Sequence, residues 1–221
     1  MVINKSNSIK NEIVTYSKIL DNKGLVNTAE GNLSIIDRSS GLLYITPSGT
    51  RKAFLTEDVI AVLDGDRQID GSLKRSSEYL LHVAALKARP DCNAVAHIHA
   101  PYLTAFAYCG KDIEIDCSTT FALLFGNKIR CLPYGEPGTT HIADGIENAL
   151  KTCDLVLLAN HGVVSVGKTL EDAVKIVEAA EEVVKIYSIA KNIGPLSNIT
   201  PEQYESMNNN HPASMKNRFK I

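Results

Sequence analysis

No apolar run in this 221-residue chain approaches the roughly 20 residues that a bilayer-crossing helix needs, so no membrane contact is expected. Lysine and arginine form no cluster, and the formal net charge is −2, which argues against a broad electrostatic hold on nucleic acid. The five cysteines (Cys92, Cys109, Cys117, Cys131 and Cys153) are odd in number and include no Cys-x-x-Cys pair. That excludes a disulfide framework and suits reduced thiols in a cytoplasm. The opening residues, Met1-Val2-Ile3-Asn4-Lys5, lack an apolar signal core, so export is not expected. There is neither an internal repeat nor a linker, and with 44% hydrophobic and 22% charged residues one substantial core is expected over residues 1–221.

Periodicity supplies the elements. Residues 8–25 read as an amphipathic helix with Ile9, Ile13, Ile19 and Leu20 on its inner side, ending near Gly24. Strand-like runs follow at 32–36, 42–46 and 59–63, the last closed by Asp64-Gly65. A helix from Ser76 or Ser77 to about Arg89 is stopped by Pro90, and a buried strand covers 94–99. Pro101 opens another helix, at the position where proline is tolerated. Strands are expected at 128–132, 155–159 and 163–166, and helices at 140–150 and 170–190. The longest helix should bury Ala173, Val174, Val177, Ala180, Val184 and Tyr187. This is a mixed α/β chain, more β-meander than strict βαβ alternation. The polar tail, about 191–221, reads as loosely held.

The chemistry concentrates in His97-Ile98-His99, with Glu78 nineteen residues upstream of His97 and His161 further on. Strand side chains alternate faces, so His97 and His99 point the same way and can share one ion. Three imidazoles and a carboxylate suit a borderline metal such as zinc. Three clusters of small residues accompany them: Gly31-Asn32, Thr46-Pro47-Ser48-Gly49-Thr50 and Ser76-Ser77. Each offers hydroxyls and backbone N–H groups without bulk, and a helix N-terminus adds positive potential, as a phosphate requires. Lys74 and Arg75 could add charge or simply be solvated. Taken singly, each feature has a plainer reading. Ser76 could be an N-cap, Pro47-Ser48-Gly49 a turn, His97 and His99 packed rings, His161 a turn residue, and Glu78 a partner of the helix dipole. Their coincidence in one chain is what favours a site.

Gly31-Asn32-Leu33-Ser34, Thr46-Pro47-Ser48-Gly49, Ser76-Ser77-Glu78, His97-Ile98-His99-Ala100 and Asn160-His161-Gly162 occur in an order that resembles the class II sugar-phosphate aldolases of the L-fuculose-1-phosphate aldolase type. That superfamily includes L-ribulose-5-phosphate 4-epimerases and the adducin head domain. The resemblance runs from about residue 4 to residue 190. It implies a single three-layer α/β/α domain around a mainly antiparallel sheet, and a homotetramer with active sites at subunit boundaries. It further implies that His97, His99, His161 and Glu78 ligate Zn²⁺, with Mn²⁺ or Co²⁺ as alternatives, and that Glu78 is also the acid/base. Gly31, Asn32, Ser48, Gly49, Ser76 and Ser77 match the phosphate-binding positions.

One departure from the family stands out. Where fuculose-phosphate aldolases carry a tyrosine supplied by a neighbouring subunit, this chain has Thr119. Tyr204 is the candidate for a second family tyrosine, from the C-terminal tail. The resemblance implies cleavage of a phosphorylated sugar, a ketose 1-phosphate, to dihydroxyacetone phosphate and a small aldehyde. Glu78 favours this over the epimerases, which generally place Asp there. The alternatives keep the site but change the reaction: 4-epimerisation, decarboxylation of a sugar-acid phosphate, or dehydration of methylthioribulose 1-phosphate. A non-catalytic scaffold like the adducin head would lack the ligands this chain retains.

Overall fold

The computed structural model describes residues 2–27 and 29–211, with side chains from residue 5 onward. Helix α1 (Val2–Asn22) buries Ile13, Ser17 and Leu20, spaced four and three residues apart on one stripe. It extends further towards the N-terminus than expected and ends earlier, and Ile19 lies on its exposed edge at 37% accessibility. Then come β1 (Asn32–Asp37), β2 (Leu42–Ile45), β3 (Ala61–Asp64) and β4 (Arg67–Asp70). Short 3₁₀ turns at Lys52–Phe54 and Glu57–Val59 join β2 to β3. The next elements are α2 (Tyr79–Ala88), β5 (Ala94–Ile98) and α3 (Pro101–Tyr108), the last with Pro101 in its first turn as expected.

Two expected elements break. The run 128–132 divides into β7 (Lys128–Ile129), which pairs with β6 (Ile113–Glu114), and β8 (Cys131–Leu132), which joins the main sheet. The run 140–150 becomes a 3₁₀ turn, Thr140–Ala143, and the short α5 (Ile146–Ala149). Gly145 separates them at φ 83°, a conformation no helix interior accepts. Between β6 and β7 lies α4 (Thr119–Phe125), too short to leave a periodic trace. Its N-cap Ser118 accepts the Phe121 N–H.

The chain continues through β9 (Leu155–Leu158), β10 (Gly162–Gly167), α6 (Leu170–Ile193) and α7 (Pro201–Asn210). Reciprocal capping bonds start both last helices, Thr169 with Asp172 and Thr200 with Gln203. The tail thus contains α7, which packs on α4 and buries Asn208. Residues 212–221 of that tail lie outside the described residues.

Eight strands form one sheet in the order β4-β3-β2-β1-β5-β10-β9-β8, antiparallel except for β8 beside β9. Helices cover both faces, giving three layers. One core joins Ile13 of α1, Leu103 of α3, Phe121 of α4 and Val177 of α6 to Leu33, Ala96 and Ile98 of the sheet. The other joins Leu81 and Ala85 of α2 and Ile146 of α5 to Val95, Val156 and Val164. Alternation assigns the faces. On β5, Ala94, Ala96 and Ile98 enter the first core and Val95 the second, so His97 points towards α2. By the same count Asn32 and Ser34 of β1 face α2. Asn32 pairs directly with His97, and Ser34 with Val95.

Candidate metal centre

Strand order brings the histidines together. β10 lies next to β5, with Val163 opposite Ile98 and Val164 opposite His97, so the turn entering β10 sits beside the end of β5. In that turn Asn160 adopts φ 61°, the left-handed region an asparagine tolerates, and the His161 N–H bonds to the Leu158 carbonyl at 3.1 Å. His99 follows β5 directly.

The three imidazoles converge. Ring centroids lie 4.7–5.0 Å apart, and one nitrogen from each falls within 4.8 Å of the others. His97 is fully buried, and its Nδ1 lies 2.9 Å from the Val163 carbonyl, which can only accept. Nδ1 therefore carries the proton and Nε2 presents its lone pair. That Nε2 lies 3.1 Å from His99 Nε2 and 3.5 Å from Glu78 Oε2. His99 Nδ1 lies 3.4 Å from Glu30 Oε2, and His161 Nε2 lies 3.1 Å from Glu78 Oε1.

These distances bear on whether a cation belongs here. With the His99 Nδ1–H directed at Glu30, its Nε2 lone pair meets that of His97, and two lone pairs at 3.1 Å need an electrophile between them. Burial pushes His97 down to about 4 and His99 down as well, so both rings stay neutral near pH 7. Burial alone would raise the Glu78 carboxyl. Contacts with His161, His97 and Asn32 outweigh it and hold that group below the usual carboxylate range. Neutral imidazoles and an ionised carboxylate are the forms a borderline divalent ion binds. Space is fitted to them too. A Cβ on Gly162 would stand 2.8 Å from the Ile98 carbonyl oxygen, 3.3 Å from His99 Cδ2 and 3.4 Å from His97 Cε1. The donor set fits a metal ion.

The small-residue clusters gather beside this centre. Gly31 turns at φ 78° where a Cβ would lie 2.8 Å from Val26 Cγ1 and 3.1 Å from the His97 carbonyl oxygen, so only glycine lets β1 start there. Asn32 is buried, and its Nδ2 donates to Glu78 Oε2 at 2.7 Å. A bridge between Pro47 and Arg75 joins the Ser48-Gly49 turn to the Ser76-Ser77 segment, with Ser48 N–H bonded to Lys74 O and Ser76 N–H to Thr46 O. Ser76 is buried, while Ser48, Gly49 and Ser77 are exposed. Neither serine caps α2. Glu78 occupies the N-cap position, and Ser76 Oγ accepts the Glu78 N–H at 3.2 Å. The Arg75 guanidinium stacks 3.5 Å over the Tyr79 ring.

Tyr204 lies elsewhere. Its phenol sits on α7 among Ile115, Asp116, Ala122 and Asn127, and burial raises its pKa. Thr119, exposed at the start of α4, is likewise outside the histidine cluster.

Sequence reasoning overlooked His82, fully buried one helical turn after Glu78. Its Nδ1 lies 2.7 Å from Ser34 Oγ and its Nε2 contacts Asn32 Oδ1. The spacing of four from Glu78 put both on one face of α2, the available signal. Lys52 was also overlooked. It is 2% exposed, bonds the Thr50 carbonyl at 3.0 Å, and burial lowers its amine to about 8.

With this geometry in view, comparisons are specific. The model of the class II aldolase and adducin N-terminal domain matches residues 11–188. A 5-deoxy-D-ribulose 1-phosphate aldolase from Bacillus thuringiensis serovar kurstaki is 32% identical over 200 residues, covering 90% of this chain and 92% of that protein. A 3-oxo-tetronate 4-phosphate decarboxylase from Haemophilus influenzae is 32% identical over 182 residues, covering 80% and 86%. Among solved structures, an L-fuculose 1-phosphate aldolase superposes with a TM-score of 0.82 at 33% identity, covering 90% of this chain and 94% of its own.

Proposed function

The chain belongs to the class II aldolase and adducin N-terminal domain family, and from that membership we propose that it cleaves a ketose 1-phosphate, L-fuculose 1-phosphate or a 5-deoxypentulose 1-phosphate, into dihydroxyacetone phosphate and a small aldehyde. The observation that carries this reading is the convergence of the His97, His99 and His161 rings on the Glu78 carboxylate. His97, His99, His161 and Glu78 would hold Zn²⁺, or Mn²⁺ or Co²⁺ in its place. When bound, such an ion supplies a Lewis acid for the negative charge that develops on the substrate oxygens.

The remaining steps belong to the protein. Gly31, Asn32, Ser48, Gly49, Ser76 and Ser77 anchor the phosphate and so fix the reacting carbons against Glu78. As the carbon–carbon bond breaks, Glu78, ionised at rest, takes the hydroxyl proton, the aldehyde departs, and the electron pair stays on the three-carbon fragment. Glu78 then returns that proton to the carbon of this fragment. Tyr204 lies away from Glu78 in its own chain, so as a proton donor it would serve a neighbouring copy. That role needs an oligomer with sites at subunit boundaries, and a homotetramer is the assembly proposed. Free cysteines, and no described helix long and apolar enough to cross a membrane, support a cytoplasmic location.

A second reading is decarboxylation of a sugar-acid phosphate. The Haemophilus relative is as similar as the aldolases, and Thr119 lacks a phenol. One panel separates the two. Zinc-loaded protein is given L-fuculose 1-phosphate, 5-deoxyribulose 1-phosphate, 5-methylthioribulose 1-phosphate and 3-oxo-tetronate 4-phosphate, with dihydroxyacetone phosphate and carbon dioxide assayed. Dihydroxyacetone phosphate from a ketose 1-phosphate, lost in Glu78→Gln and on chelation, is the expected result. Carbon dioxide alone overturns the aldolase reading, and near-normal cleavage by Glu78→Gln overturns the role given to Glu78.

A further inference from the structure

Beneath Glu78 runs a chain of polar side chains whose inner members, His82 and Ser34, have no part in the reaction as described. Ser34 Oγ, His82 Nδ1, His82 Nε2, Asn32 Oδ1, Asn32 Nδ2 and Glu78 Oε2 follow in order, with 2.7 Å at each end. Ser34 and His82 are 0% exposed, so water cannot complete their bonding, while Asn32 keeps 5% of its surface.

The chemistry of the groups allows one proton arrangement. An ionised carboxylate only accepts, so the Asn32 amide turns its nitrogen to Glu78 and its oxygen to His82. A carbonyl oxygen only accepts, so His82 donates from Nε2. A neutral ring then has its lone pair at Nδ1, where Ser34 donates its hydroxyl proton. Burial lowers the His82 pKa to about 4, which agrees with the neutral ring this pattern needs. An amide carries two N–H bonds, and Glu78 takes one of them.

We propose that His82 is a positioning residue: by holding the Asn32 carbonyl it prevents the amide from flipping, so that one Asn32 N–H stays on Glu78 and the other stays available to the phosphate. The role rests on the anion site of the reading above. It makes the Glu78 position and anion binding share one amide, with His82 setting the orientation of both. If the amide flipped, its oxygen would meet the Glu78 carboxylate, and neither Glu78 nor the phosphate would have the donor.

The test uses zinc-loaded full-length protein and three variants. His82→Leu removes both ring nitrogens, His82→Gln keeps a donor near the Nε2 position, and Asn32→Ala removes the amide. Inorganic phosphate is titrated by calorimetry, with zinc stoichiometry and melting midpoint measured in parallel. His82→Leu should bind phosphate at least about 10-fold more weakly while retaining zinc, as loss of a hydrogen bond to a charged group implies. His82→Gln should stay within about 3-fold of wild type, the rescue that a packing role would not give. Wild-type phosphate affinity in His82→Leu, or a Gln variant no better than Leu, overturns the proposal, as does a wild type that binds no phosphate. Should His82→Leu fail to fold, ¹⁵N spectra of wild type decide: protonated Nε2 and bare Nδ1 at His82 are expected, and the opposite tautomer refutes the relay. If no panel sugar is cleaved yet the variants rank as stated, the aldolase reading falls and the positioning role stands.

Discussion

Gly162→Ala should separate the cost of a methyl group from the cost of moving a ligand. The added Cβ would stand 2.8 Å from the Ile98 carbonyl oxygen, while ordinary contact begins near 3.4 Å, so that carbonyl must retreat by about 0.6 Å. It cannot move alone, because the next residue on the same peptide is His99. The rings of His99 and His97 already stand 3.3 and 3.4 Å from the same Cβ, which blocks the alternative direction. Overpacking of this kind costs about 1–3 kcal/mol of stability. Metal geometry is less forgiving, since ligand distances tolerate only about 0.2 Å. Zinc affinity should therefore fall about 10- to 100-fold, the range seen when supporting residues are disturbed.

Gly167→Ala is the control. Its Cβ would meet the Ala173 backbone nitrogen at 2.4 Å and the Thr169 carbonyl at 2.7 Å, at the start of α6 and away from the histidines. It should lower the melting midpoint without changing zinc affinity in the folded fraction. Competition against a chromogenic chelator measures that affinity, and differential scanning fluorimetry the stability. A Gly162→Ala protein that holds zinc within about 2-fold of wild type would refute the reasoning, because the ligands would then tolerate a shift the coordination geometry forbids.

Two further predictions concern buried charges. The Lys52 amine is lowered to about 8 by burial, partly offset by Asp21 and Glu78, whereas an unfolded lysine titrates near 10.5. Between those values the unfolded chain binds more protons at this site, so the Lys52 contribution to stability should rise with pH from about 8 to about 10.5. In Lys52→Met that contribution should vanish, with a gain on the order of 1–3 kcal/mol at pH 7; urea melts of wild type and variant at pH 7, 8.5 and 10 check both, and a difference between the two proteins that does not change with pH would sink the assignment. Arg89 grips both oxygens of Asp91 at 2.8 Å and Asp154 at 2.8 Å, and also donates to the Leu150 and Cys153 carbonyls. Arg89→Met should cost about 3 kcal/mol, because Asp154 and two carbonyls lose their shared cation in a half-buried setting. Activity per folded molecule should not change, and a urea-measured loss under about 1 kcal/mol would contradict this account.

What the sequence disclosed depends on the distance over which each signal acts. His97 and His99 were legible as a pair because alternation on one strand is local, and α6 because its apolar stripe runs through six turns. Glu78 and His161 came from a pattern of motifs, since no spacing rule places a helix N-cap beside a turn 83 residues away. His82 was missed although its spacing from Glu78 was in view. Its partners Asn32 and Ser34 sit on β1, and whether they meet α2 depends on sheet position. The 128–132 run misled because its two halves pair with different partners. α7 carried the Thr-Pro-x-Gln start of a capped helix, but its polar composition hid that signal.

Register ties site and fold into one problem. Asn32 and Ser34 on β1 and His97 on β5 form a polar strip on the face towards α2, while their neighbours Leu33, Ala96 and Ile98 fill the opposite core. A slip of one residue in the β1–β5 pairing would turn Asn32 and Ser34 towards α1, α3 and α6, leaving an amide, a hydroxyl and the buried His82 imidazole without partners. Each unpaired group would cost about 1–3 kcal/mol, enough together to erase a typical domain's margin. The groups that hold Glu78 in place therefore also reject the wrong pairing. Substitutions of Asn32 and Ser34 should disturb anion binding and strand specificity together, whereas Gly162→Ala strains the cation ligands and leaves the β1–β5 register intact.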